Sequence, residues 1–361
     1  MEKKYQLQSC VWEITLACPF SCKYCGSSAG GAREKELTTQ ECLDVARQLA
    51  QLGCRRVSLI GGEVFMRADW DLIVRELTRS GVRVGIVTNG FLFTEALLER
   101  MKRVHLELVG VSVDGLPAVH DKYRQKGSFA RARHAAFLLA EAGIPVSVIS
   151  TLHRENAEKL KELYEELVGW PVYAWQLQAC SPMGNASKKA MDYRFDVRAV
   201  IRFVQEHMHE APFRIGIADN IGYFTDQDGC LRGETVGSSC FHGCRAGLTS
   251  IGIDSEGNVR GCESMYDERF IEGSLRSRTL REIWEDPEAF RYNRAFEKEL
   301  LTGACSRCEA GAYCAGGCRS YNYFVHGRLY EAPFCAHSME QAESEEEKGK
   351  GFERAEYDRM R

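Results

Sequence analysis

Between residue 10 and about residue 211, short apolar runs alternate with longer amphipathic stretches. The runs Val11–Leu16, Arg56–Ile60, Val82–Thr88, Leu106–Val113, Val146–Leu152 and Tyr173–Leu177 read as strands. The stretches Thr39–Leu52, Asp69–Ser80, Thr94–Lys102, Phe129–Ala142, Ala157–Leu167 and Asp196–His209 read as helices. Their apolar residues recur at i, i+3 and i+4, as in Leu43, Ala46, Leu49 and Ala50. Thr38 or Thr39 is the expected cap of the first helix, with Asp69 and Thr94 expected to cap the next two. Strand followed by helix, six times over, predicts parallel βα units and an α/β fold. Six units are too few to close an eight-fold barrel. They suit an open, partial (β/α)6 barrel with its site at the C-terminal ends of the strands.

After Phe213 the pattern breaks. Residues 230–335 carry nine of the sixteen cysteines, many glycines and few long periodic segments. This predicts three parts: a barrel over 1–212, a small cysteine-rich domain held together by metal over 213–337, and a charged tail over 338–361. Within the second part, Ile251 to Val259 reads as a hairpin turning at Glu256–Asn258. Thr279–Trp284 and Pro287–Phe296 read as helices. The tail, nearly all polar from Glu343 to Lys350, reads as a solvated helix or as disorder.

Charge narrows the partners. A formal net charge of −4 gives no electrostatic footprint for nucleic acid, and no polybasic run points to an anionic membrane surface. No apolar run reaches the ~18 residues of a membrane span. Met1 to Gln8 lacks the apolar core of a signal peptide. The expected location is therefore the cytoplasm. In that reducing compartment sixteen cysteines point to metal ligation or catalysis rather than to disulfides.

Two cysteine groups carry the chemistry. The first, Cys18-x3-Cys22-x2-Cys25, follows the first strand. Three thiolates on one loop can ligate three irons of a cubane and leave the fourth open, since clusters normally take four cysteines. Zinc with a distant fourth ligand is the alternative. The run Cys18-Pro19-Phe20-Ser21-Cys22-Lys23-Tyr24-Cys25 resembles the signature of the radical S-adenosylmethionine (SAM) enzymes, Tyr24 included. The resemblance implies that the open iron chelates SAM, and that one electron cleaves it to methionine and a 5′-deoxyadenosyl radical, which abstracts hydrogen. Further matches stand at successive strand ends: Gly61-Gly62-Glu63, Thr88-Asn89-Gly90 and Ser112-Val113-Asp114-Gly115. Glycine lets backbone approach a ligand, and Glu63 can pair with the SAM ammonium. Thr88, Asn89, Ser112 and Asp114 can hydrogen-bond the ribose or methionyl part, and Arg124 can take the carboxylate bidentately. Alone, Gly-Gly-Glu fits an ordinary strand-end turn, the next two motifs fit loop caps better than ligands, and Arg124 fits a surface arginine; their order along the chain is what gives them weight. Val64 stands where the family commonly has proline after Gly-Gly-Glu.

The second group is Cys240-x3-Cys244, Cys262, Cys305-x2-Cys308-x5-Cys314-x3-Cys318 and Cys335. Over about residues 238–337 it resembles the SPASM domain, an iron–sulfur extension of radical SAM enzymes that modify peptides and proteins. The resemblance implies two auxiliary 4Fe–4S clusters, one on Cys240, Cys244, Cys262 and Cys318, the other on Cys305, Cys308, Cys314 and Cys335. With the first cluster that makes three. Cys230 competes with Cys240, and structural zinc remains the alternative. Either metal would contribute to folding. Cys10, Cys42, Cys54, Cys180 and Cys230 are left over. Cys42 fits a small core residue, and Cys180, just past the sixth strand, fits either a packed thiol or a group at the active-site mouth. Glu263 stands where the related sulfatase-maturing enzymes carry an aspartate base; a solvated strand-end charge is the other reading.

The leading expectation is an enzyme that modifies a ribosomally made precursor peptide, giving a thioether, a carbon–carbon crosslink or an epimerised residue. Flavodoxin or ferredoxin is the expected reductant. Too few residues precede Cys18 for a separate leader-binding domain, so a partner protein or the SPASM region would read a leader peptide. The alternatives are a formylglycine-forming sulfatase maturase, small-molecule work such as haem-type cofactor biosynthesis, and a non-catalytic metal scaffold. An open iron has no use in a scaffold.

Overall fold

The strands that the sequence predicts assemble into one sheet, and the cysteine-rich region joins it. The structure, a computed structural model, describes residues 5–218, 220–222, 231 and 242–342. Near the middle of the sheet lies β1 (Ser9–Glu13). On one side follow β2 (Arg56–Ile60), β3 (Arg83–Thr88), β4 (Leu108–Ser112), β5 (Val146–Leu152), β6 (Ala174–Ala179) and β7 (Arg214–Ile217), in chain order and all parallel. This is the partial barrel, with a seventh strand that the sequence reading lacks. β7 is four residues long with a glycine inside, too short to show a period.

On the other side of β1, β8 (Ser250–Ile253) pairs in parallel, Cys10 opposite Ile251 and Trp12 opposite Ile253. β9 (Asn258–Arg260) and β10 (Gly273–Ser274) extend it antiparallel. The expected hairpin is thus the edge of the barrel sheet, and the sheet runs on through residue 213 in both directions. Ile251, Ile253 and Val259 share a core with Trp12, Trp70 and Trp175. Cys10, Cys42 and Cys54 lie in that core as packed thiols.

Helices cover the outer face. The first nine are α1 (Thr39–Gln51), α2 (Trp70–Arg79), α3 (Glu95–Met101), α4 (Pro117–Tyr123), α5 (Ser128–Glu141), α6 (Arg154–Ala157), α7 (Leu160–Leu167), α8 (Asn185–Lys188) and α9 (Val197–His207). Thr38 caps α1 in a capping box: its hydroxyl accepts from Glu41 N, and the Glu41 carboxylate accepts from Thr38 N at 2.7 Å. Thr94 caps α3. Asp69 stands at the N-cap of α2, as expected, but its side chain makes no cap hydrogen bond, its carboxylate being turned to Arg67 at 2.7 Å. The helix expected over 157–167 is two pieces, α6 and α7, and in the segment 287–296 only Arg291–Arg294 is helical. Most of the charged tail lies outside the described residues. Among the described residues no helix is long and apolar enough to cross a membrane.

Because β8 closes one edge of β1, damage there reaches the barrel. Ile251→Ala removes a side chain that is 1% exposed and should lower unfolding free energy by about 2–5 kcal/mol. Denaturant titration followed by hydrogen exchange should show the β1 amides losing protection together with those of β8.

Candidate functional site

β1 and β2 end side by side, and the contact between their trailing segments places the cysteine loop. Gly62 N donates to Thr15 O and Glu63 N to Ala17 O, both at 2.8 Å. A Cβ on Gly61 would lie 2.6 Å from Thr15 O, and one on Gly62 would lie 2.4 Å from the carbonyl oxygens of both Leu16 and Ala17. The two glycines therefore make room for the chain that leads to Cys18, a packing reason the sequence reading did not reach.

The loop is held at several points. Cys18 N donates to Gly30 O at 2.8 Å, and Lys23 N to Tyr123 O at 2.8 Å. Phe20 is buried edge-on against Phe91, ring centroids 5.0 Å apart. From the far side of the barrel mouth, α8 reaches over: Asn185 N donates to Cys25 O and Asn185 Nδ2 to Cys22 O, each at 2.9 Å. Gly184 sits at φ +54°, and a Cβ there would lie 2.2 Å from Gly26 O and 2.5 Å from Cys25 O. Sequence reasoning missed this clamp. Its only trace is a Gly-Asn pair just past the sixth strand.

Two polar networks flank the loop. Glu63, buried, accepts from the Thr88 hydroxyl and from Asn89 N, both at 2.8 Å. Burial pushes its carboxyl up to about 7, against the pull of those hydrogen bonds. Asn89 Nδ2 in turn stands 3.9 Å from Cys18 Sγ. Asp114, also buried, accepts from the Tyr24 hydroxyl and from Arg124 Nε, and from Thr151 N at 2.8 Å. The Arg124 guanidinium lies 5.4 Å from the Tyr24 ring centroid. Its charge holds the Asp114 carboxyl below the usual range even though burial opposes it. Asn156 ties these strand ends together, donating to Asp114 O and Thr151 O at 2.8 Å each. Thus Tyr24, Asp114 and Arg124, read separately from the sequence, are one ion-paired unit. Ser112 is buried at the end of β4.

The thiols suit an iron–sulfur cluster. Phe20 N donates to Cys18 Sγ at 3.4 Å and Ala29 N to Cys25 Sγ at 3.3 Å, the donor pattern that stabilises thiolate sulfur. Burial pushes the Cys18 thiol up to about 12 and the Cys22 thiol to about 11, with Arg124 pulling Cys22 down. Bound iron supplies the positive charge that the thiolates otherwise lack. Among the described residues no three His, Cys, Asp or Glu side chains converge on a single ion. A cubane needs no such convergence, because each thiolate takes its own corner iron.

In the cysteine-rich region burial pushes the thiols of Cys305, Cys314 and Cys335 up, and neighbouring thiols add to it: Cys308 acts on Cys305, Cys335, Cys305 and Cys308 act on Cys314, and Cys305 acts on Cys335. Cys244 and Cys262 pack on one patch, while Cys318 packs against Cys314 and Cys335. Cys240 and its competitor Cys230 lie outside the described residues. Glu263 is not a solvated charge: it is 6% exposed, and neither carboxylate oxygen has a hydrogen-bond partner. Burial, then the charge of Glu13, pushes its carboxyl well up. Glu13 itself, at the end of β1, is paired with Arg33 and accepts from the Tyr266 hydroxyl at 2.9 Å. Cys180 is 1% exposed, packed with Tyr24 and Ala186, and burial pushes its thiol up to about 12.

A three-cysteine loop with a polar ring at parallel strand ends, followed by a cysteine-rich extension, defines a radical SAM enzyme with an iron–sulfur domain. The radical SAM superfamily profile matches residues 12–167, and that of SPASM, an iron–sulfur cluster-binding domain, matches residues 244–309. The chain belongs to this family of enzymes. It is 29% identical over 336 residues to the AdoMet-dependent heme synthase of Methanosarcina barkeri, covering 90% of this chain and 95% of that one. It is 28% identical over 319 residues to the mycofactocin maturase MftC of Mycolicibacterium smegmatis, covering 87% and 78%. Among solved structures, Streptococcus suis SuiB bound to S-adenosylmethionine superposes with a TM-score of 0.74 at 17% identity, over 92% of this chain and 77% of that one.

The α8 clamp makes a prediction. Gly184→Ala should displace the cysteine loop, and the reconstituted protein should lose about four irons, one cubane's worth. A full complement of iron would refute this role. A second prediction concerns pH. His120 is buried, and burial pushes its imidazole down to about 4. Between pH ~6.5 and about 4 the unfolded chain binds a proton that the folded chain refuses, so stability falls as pH drops through that window. In metal-free protein His120→Gln should make that fall shallower, as read from denaturation midpoints at pH 7 and pH 5.

Proposed function

We propose that this radical SAM enzyme is a peptide maturase that abstracts hydrogen from a ribosomally made precursor peptide, leading to a crosslink, a thioether or an epimerised residue. The observation that carries the reading is the three-cysteine loop set between the Glu63–Thr88–Asn89 and Tyr24–Asp114–Arg124 networks. A 4Fe–4S cluster on Cys18, Cys22 and Cys25 would supply one electron to cleave SAM. Around it, Glu63 keeps acceptor capacity for the SAM ammonium while fixing Thr88 and Asn89. Arg124 is held by Asp114 beside Cys22, where its remaining donors suit the SAM carboxylate. Ser112 and the end of β3 would bind the ribose or methionyl part. Two auxiliary clusters, on Cys240, Cys244, Cys262 and Cys318 and on Cys305, Cys308, Cys314 and Cys335, would accept the electron that the substrate radical loses when a crosslink or thioether forms; an epimerised residue would need a hydrogen atom returned instead. Flavodoxin or ferredoxin would be the reductant in the cytoplasm, and a separate protein or the SPASM region would read the leader. Likeness to the maturases MftC and SkfB supports a peptide substrate.

A second reading, haem-type cofactor biosynthesis, is favoured by the match to the archaeal heme synthase over 95% of its length. Substrate-dependent turnover separates the two. Anaerobically reconstituted enzyme with dithionite and SAM should form 5′-deoxyadenosine, and a cysteine- or aromatic-rich precursor peptide encoded beside it should raise the rate and be consumed. Stimulation by an iron porphyrin instead would replace the peptide reading, and no 5′-deoxyadenosine from loaded protein would sink both. Replacing Cys18, Cys22 and Cys25 together by Ala should abolish SAM cleavage while leaving about eight irons bound, the content of two cubanes.

A further inference from the structure

Arg319 follows Cys318 and is completely buried. A guanidinium stripped of water is costly unless an anion faces it. Among the described residues Arg319 has no carboxylate partner. Its Nη1 donates to Ala315 O and, at 3.1 Å, to Leu329 O. Its Nε and Nη2 are buried with no hydrogen-bond partner. The rings of Tyr330 and Phe296 flank it, with centroids 4.5 Å and 5.4 Å from the guanidinium carbon. The acidic groups that act on it are the thiols of Cys244, Cys318 and Cys314 and the Tyr330 hydroxyl. Those thiols come from both auxiliary cysteine groups. The chain has thus placed a buried cation, with two unpartnered donors, within electrostatic reach of thiols from both groups.

We infer that Arg319 is the shared counter-cation of the auxiliary iron–sulfur site, and that it sets the reduction potential there. The inference rests on the two-group cluster assignment proposed above. Cysteine-ligated clusters are anionic and gain one negative charge when they take up an electron. A fixed positive charge in a dry, low-dielectric setting favours the reduced form and raises the potential. In the proposed reaction the substrate radical is oxidised by one electron and an auxiliary cluster is reduced by one. Arg319 would stabilise that electron on either group and lower the barrier to passing it between them. The free Nε and Nη2 would donate to cluster or cysteinyl sulfur. This accounts for a guanidinium that makes no ion pair among the described residues.

The test uses the full chain with Cys18, Cys22 and Cys25 replaced by Ala, so that only auxiliary clusters load. Their midpoint potentials are read by EPR-monitored titration, with iron and sulfide counted. Arg319→Gln should lower at least one midpoint by a tenfold or greater loss in the reduction equilibrium, about 59 mV for a one-electron couple. Arg319→Lys, which keeps the charge, should remain nearer the parent than Arg319→Gln. An Arg319→Gln protein with full iron and the parent's midpoints would overturn the inference, as would Arg319→Lys falling as far as Arg319→Gln. Should Arg319→Gln not fold, pulsed EPR of the parent, labelled with 15N at the guanidino nitrogens of arginine, decides. A 15N coupling to a reduced auxiliary cluster is expected, and its absence overturns the assignment. A parent that binds no iron fails the cluster reading itself, which the metal count separates from failure of the role given to Arg319.

Discussion

The site depends on how closely two stretches of backbone approach. Residues 15–17, leaving β1, lie against Gly61 and Gly62, leaving β2, with no room for a Cβ between them. That contact fixes the height of Cys18 above the sheet and sets Glu63 facing the end of β3. From Glu63 the constraint passes to Thr88 and Asn89, and Asn89 returns it to Cys18. The cycle is closed, so the loop and three strand ends hold one geometry. Preorganisation of this kind lets a site bind a cofactor without spending the binding energy on ordering its own loops.

The second half of the ring works by charge. Asp114 is buried and the Arg124 side chain only 10% exposed, a pairing in which removing one partner typically costs about 3–5 kcal/mol because the other charge is stranded. Tyr24, inside the cysteine loop, donates to the same carboxylate. The loop is therefore tied to β4 by an electrostatic unit and to β2 by packing. Asn185 adds a third tie, from beyond β6. Stiffness in the loop comes from three different directions of the barrel, and each uses a different interaction.

Much of this was legible in the sequence, for definite reasons. Arg56–Ile60 and Val146–Leu152 are observed with the bounds that their apolar runs gave, since β-branched runs ended by turn residues leave little choice. The cysteines announced themselves by spacing, because ligands on one loop must be near in sequence. What the sequence hid is pairing between distant residues. Asp114 and Arg124 each read as a ligand, and nothing local says that they neutralise one another. Asn185 reaches Cys22 across 163 positions, and Arg33 reaches Ser255 across 222. Of the two readings of Glu263, the solvated one fails because its backbone packs against Gly252 and its side chain is buried. The seventh strand, Arg214–Ile217, was hidden by its shortness.

The parallel pairing of β8 with β1 also bears on how the protein is made. During synthesis, β1 emerges early, but its second neighbour lies about 240 residues later. At a ribosomal pace of ~5–20 residues per second, one edge of the central strand stays uncovered for about 12 to 48 seconds. Throughout that interval the first cysteine loop already exists beside a half-built sheet. A chaperone that covers the β1 edge through that interval would keep it from pairing with another chain.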